Sequence, residues 1–127
     1  MNALLLFVLA CATKEVPMAS SATPAPFACH MDALSPDERE RSRLLREELV
    51  AEAREVVDVG NGYRFSYPGE AFLKTAEWVA LERRCCPFLD FAIEWREGND
   101  ALVVLSITGR DGVKDFLRAE MPELPQG

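Results

Sequence analysis

The sequence predicts an α+β fold, a four-stranded and mainly antiparallel sheet packed against helices in the order α-β-β-α-β-β-α. Three observations carry this. A segment with strong helix-start chemistry precedes two short β-prone runs around a glycine-rich turn. A second helical pattern ends at two adjacent cysteines. A cleanly alternating strand is then followed by a uniformly apolar one and a last helical segment. With 127 residues, 49% hydrophobic and 28% charged, the chain can bury one core and is too short for two.

The first helix opens at "SPDERERSRLLREELVAEAREV", with Ser35 at the cap, Pro36 at the first helical position and Glu38 placed to complete a capping box. Leu45, Leu49 and Val56 supply a narrow apolar stripe. Asp37 with Arg41, and Arg43 with Glu47, are spaced to pair along a solvated face. In "VVDVGNGYRFSYP", two β-prone runs flank Gly60, Asn61 and Gly62, residues that tolerate the positive φ of a tight hairpin. Pro68 and Gly69 end that hairpin, and residues 70–85 read as the second helix, with Phe72, Leu73, Ala76, Val79 and Ala80 on its apolar face. Pro87 disfavours helical geometry at Cys86, so this helix should stop at Cys85. "FLDFAIEWR" alternates, with Leu89, Phe91, Ile93 and Trp95 on one face, and "ALVVLSIT" reads as a central strand. "GRDGVKDFLRAEM" is the last helix, with Val113, Phe116 and Leu117 inward and Thr108 as its cap.

Three segments follow: a lipoprotein-type signal and flexible tether over 1–28, one α+β domain over 29–121, and a tail over 122–127. The apolar run Ala3 to Ala10 is far shorter than the roughly 20 residues needed to cross a bilayer. "VLAC" resembles a lipobox, which would make Cys11 a lipidated residue of a cell-envelope lipoprotein whose only membrane contact is that anchor. The alternative is a cytoplasmic protein whose translation starts at Met18. Residues 14–28 have little to bury and cannot offset the entropy of ordering their backbone. A net charge of -7 argues against nucleic acid as a partner.

"ACHMDALSPDERER", "EWVALERRCCPFLDFAIEW" and "LSITGRDGVKDFL" together resemble a family of short, uncharacterised bacterial proteins. Its pattern runs Cys, a helix, then Glu-Arg-x-Cys-Cys-Pro-Phe and Thr-Gly-x-x-Gly-Val-Lys. The resemblance spans roughly residues 28 to 118 and implies that Cys29, Glu82, Cys85 and Cys86 occupy pattern positions. It implies no activity.

Adjacent thiols limit the chemistry. Consecutive Cα atoms lie about 3.8 Å apart, closer than a disulfide usually spans, so a Cys85–Cys86 bond would be strained. Cys29 can pair with either, which leaves one thiol over if Cys11 is lipidated. A soft ion uses the set better: it is favoured by the negative end of the second helix's dipole, and it deprotonates its own thiols. Cys29, Cys85 and Cys86 would be the ligands, with Glu82 or His30 completing or orienting the shell, and zinc or another thiophilic ion as the metal. The expectation is a small, non-enzymatic metal-binding protein. Two alternatives stand beside it: a structural or interaction domain with inert buried thiols, since free cysteine is commonly a core residue, and a thiol redox protein. Trp78 and Trp95 read as core or edge aromatics, because no basic groove accompanies them.

Overall fold

The computed structural model describes residues 27–125 and has the predicted element order. Cys11, Met18 and the apolar N-terminal run lie outside the described residues. A 3-10 turn, Met31–Ala33, leads into helix α1, Pro36–Glu52. The capping box is complete: the Ser35 hydroxyl accepts from the Glu38 N–H at 3.2 Å, and the Ser35 N–H donates to Glu38 Oε1 at 3.0 Å. Arg84 also holds the Glu38 carboxylate, and this pairing, followed by the Ser35 N–H, depresses its pKa to about 2. A carboxylate with a lowered folded pKa contributes stability above its unfolded value near 4.5 and loses it as pH falls towards about 2. Thermal melts should therefore drop through that window, and Glu38→Gln should flatten part of the drop. A drop of equal size in the variant would remove Glu38 from the account.

Strands β1, Glu55–Asp58, and β2, Gly62–Pro68, form one hairpin, while β3, Asp90–Arg96, and β4, Leu102–Thr108, form the other. The hairpins join through their second strands, so the sheet order is β1-β2-β4-β3 and every pairing is antiparallel. In the first hairpin only Gly60 takes a positive φ, 82°, and Asp58 accepts its N–H at 2.9 Å. Gly62 is needed for a different reason. A Cβ there would sit 1.9 Å from the carbonyl oxygen of Ile107 on the partner strand. Gly62→Ala should cost about 1–3 kcal/mol by overpacking against backbone that cannot yield. A denaturation midpoint equal to wild type would contradict this.

The register sets Tyr63, Ile107 and Phe91 across one row, Phe65, Leu105 and Ile93 across the next, and Tyr67, Val103 and Trp95 across a third. These residues share one face, and their buried members form the core with Leu45 and Leu49 of α1 and with Trp78. Helix α3, Val113–Glu120, adds Val113 and Leu117. Phe27, in the segment expected as tether, and Leu124, in the segment expected as tail, also pack there.

Helix α2 is Phe72–Cys85, preceded by a 3-10 turn at Gly69–Ala71. Its buried side differs from the expected one. Leu73 is 78% exposed and Phe72 39%, whereas Ala71, Thr75, Trp78 and Cys85 are buried. Thr75 can occupy the core because its hydroxyl donates to the Ala71 carbonyl at 2.8 Å. Three further expectations are corrected. Helix α1 ends at Glu52, so Val56 belongs to β1 and faces Phe65 rather than extending the helical stripe. Arg41 pairs not with Asp37 but with Glu77 on α2, through two bonds of 2.8 and 2.7 Å. Thr108 ends β4, and Gly112, with φ 94°, caps α3. Arg43 does bond Glu47. Among the described residues, no helix is long and apolar enough to cross a membrane.

Candidate functional site

The twin cysteines stand where α2 runs out. Cys85 is its last residue, Cys86 caps it outside helical geometry with φ -121° and ψ 72°, and the Cys86 N–H still donates to the Glu82 carbonyl at 2.7 Å. Pro87 prevents continuation, as the sequence required.

The chain before α1 is tied across this helix end by its backbone. The His30 N–H donates to the Cys85 carbonyl at 2.7 Å. Arg39 donates to the carbonyls of Leu34 at 2.8 Å and Met31 at 3.2 Å, and Arg84 donates to that of Ala33 at 2.8 Å. Charged donors make these stronger than neutral hydrogen bonds. Phe27 extends the seam by packing edge-on to Phe88, with 5.3 Å between ring centroids, and tilted against Phe116 at 5.8 Å.

This path brings Cys29 to the helix end. The sulfurs of Cys29, Cys85 and Cys86 all lie within 4.8 Å of one another. Cys29 and Cys86 are bonded as a disulfide, with Cα atoms 4.8 Å apart and a sequence separation of 57. A disulfide staple, which the cysteine count argued against, is therefore present, and Cys85 is the free thiol among the described residues. The structure is the oxidised form of the cluster. Cys85 is 3% exposed, and its Sγ contacts Met31 Sδ at 3.4 Å. Burial pushes its pKa up, and the carboxylates of Glu82, Asp32 and Glu120 add to the rise.

Glu82 flanks the cluster, as its spacing from both cysteines suggested. One carboxylate oxygen accepts from the Ser42 hydroxyl at 2.8 Å, and the other lies 3.9 Å from Cys86 Sγ. Burial raises the Glu82 pKa, opposed by the Ser42 bond and by Arg46. His30 contributes its backbone to the site. Its side chain is exposed, and the close group of ligand atoms consists of the three sulfurs.

The sulfurs form one wall of a cavity of about 510 Å³ between α1, the end of α2 and α3. Leu34, Trp78, Leu89 and Ile107 make it apolar inside, and Arg43, Glu47 and Glu120 lie among its polar lining. Nothing in the local residue pattern marks this cavity: Trp78 reads there as a core or edge aromatic, and Ser42 carries no motif at all.

Fold and site together define a two-layer α+β domain with a three-cysteine cluster at a helix C-terminus, opening on an apolar cavity. No family model, curated protein or solved structure matches the chain.

Proposed function

We propose that the reduced protein binds a thiophilic metal or metalloid ion through Cys29, Cys85 and Cys86. The observation that carries this is the convergence of three sulfurs, from two distant chain segments, within 4.8 Å. With metal–sulfur bonds of about 2.3 Å, three thiolates around one ion stand at comparable separations. Loading first requires an external thiol or phosphine to reduce the Cys29–Cys86 bond, taking up that reductant's two electrons with two protons. The ion then replaces the thiol protons. Glu82 is the nearest carboxylate to complete the shell around zinc, while a three-coordinate ion needs the sulfurs alone.

Two features favour ion binding over thiol redox chemistry. A reactive thiol needs a cationic or otherwise thiolate-stabilising environment, whereas Cys85 is buried and faces carboxylates. A bound cation reverses that electrostatic balance outright. The test is elemental analysis of anaerobically purified full-length protein, followed by thiol titration of the reduced protein with and without zinc or arsenite. One ion should protect three thiols. If no thiol is protected by any thiophilic ion, the proposal fails. If Cys85 alkylates much faster than a model thiol near neutral pH, the redox reading replaces it.

A further inference from the structure

A bare ion leaves most of the cavity unexplained. Its volume of about 510 Å³ falls within the range of small-molecule sites, far beyond what one ion on three sulfurs occupies. The cavity is chemically divided. Soft sulfur ligands form one wall, and Leu34, Ile107, Phe116 and Leu117 line it with apolar surface. The apolar lining comes from three elements, Leu34 before α1, Ile107 of β4 and Phe116 and Leu117 of α3, so it offers a hydrocarbon or aromatic group contact on several sides directly beside the sulfurs.

We infer that the site takes an organic derivative of a thiophilic ion, with the ion on the cysteine sulfurs and an aryl group in the apolar cavity beside them. This rests on the three-sulfur reading above and names the ligand class for it. Arsenic(III) makes the balance explicit. An arylarsine oxide reacts with two thiols to give one arsenic bonded to both sulfurs and one water. The arsenic–oxygen bond is replaced by two arsenic–sulfur bonds, the oxygen leaves with both thiol protons, and no oxidation state changes. Arsenite instead uses all three thiols and releases three waters.

The experiment uses full-length protein reduced with a phosphine and then desalted. Arsenite, methylarsine oxide and phenylarsine oxide are each measured, the two organic compounds in competition with a free small dithiol. Both organic compounds form two arsenic–sulfur bonds with protein and dithiol alike, so that reference removes their intrinsic difference. Phenylarsine oxide should exceed methylarsine oxide by at least tenfold on this scale. Met121→Trp, at a residue lining the cavity, should cost phenylarsine oxide at least tenfold and methylarsine oxide and arsenite less than twofold. Val50→Trp, at a more exposed lining position, is the second test if Met121→Trp does not fold. Arsenite binding without an aryl preference, or with equal losses for all probes in Met121→Trp, would overturn this inference and leave the three-sulfur site standing. Failure of arsenite itself to bind would remove both. Aryl binding that survives replacement of all three cysteines by Ser would overturn the placement of the ion.

Discussion

Replacing Cys29 by Ser should lower the stability of the oxidised protein by about 2–4 kcal/mol, the range usual for a native disulfide. The bond joins residues 57 apart, so in the reduced chain a long loop is free to open. Closure of a loop this long is worth about 4 kcal/mol in the chain-entropy description, the upper end of that range. In a domain of this size each kcal/mol moves the midpoint by about 4–8 °C, so a fall of about 8 °C or more is expected on thermal melting. Wild-type protein with the disulfide reduced should fall by a similar amount. The seam contacts other than the sulfurs oppose a larger loss, because Arg39, Arg84 and the His30 N–H still hold the segment over α2. A reduced wild type that melts with the oxidised form would show that these contacts alone close the loop.

The second large effect distinguishes an ion site from a staple. A ligand that binds only the folded state stabilises it by about 2.7 kcal/mol at one hundred times its dissociation constant. Adding arsenite or zinc to reduced wild-type protein should therefore recover much of what reduction removed. Cys86→Ser should lose that recovery and weaken ion binding by at least a hundredfold, because a hydroxyl does not replace a thiolate for a soft ion. Cys85→Ser is the sharper variant. It leaves the Cys29–Cys86 bond intact, so the oxidised protein should remain near wild-type stability, apart from the lost Met31 contact, while the reduced protein loses ion-induced stabilisation. If ions stabilise reduced Cys85→Ser as much as wild type, Cys85 is an inert core thiol and the interaction-domain reading prevails. The two predictions are independent, since the first follows from chain connectivity and the second from the free third sulfur.

The expected and observed buried faces of α2 differ, for an identifiable reason. Its apolar residues lie on two overlapping stripes. Phe72, Leu73, Ala76, Val79 and Ala80 satisfy helical periodicity as well as Ala71, Thr75, Trp78 and Cys85, and the second set contains a polar residue. Only the helix's position against β3 and α1 selects between them. Trp78 meets Phe91 edge-on at 6.2 Å, while Phe72 reaches the sheet edge to contact Trp95 at 6.0 Å. Choosing the Trp78 stripe also points Glu82 at Ser42 and the cysteines into the cavity.

By itself the sequence determined what is encoded locally. The Ser35–Glu38 box starts α1, Gly60 permits the hairpin turn, the alternation over β3 and the apolar run of β4 order the second hairpin, and Pro87 stops α2 at the twin thiols. Each depends on a few neighbouring residues whose backbone preferences do not need the rest of the chain. The tertiary structure alone decided that Cys29 bonds Cys86 and leaves Cys85 free, that His30 contributes its backbone N–H, and that a cavity lies beside the sulfurs. Those outcomes depend on where a segment 57 residues upstream is laid down, and guanidinium–carbonyl contacts from α1 and α2 fix that position with no signature in residue spacing.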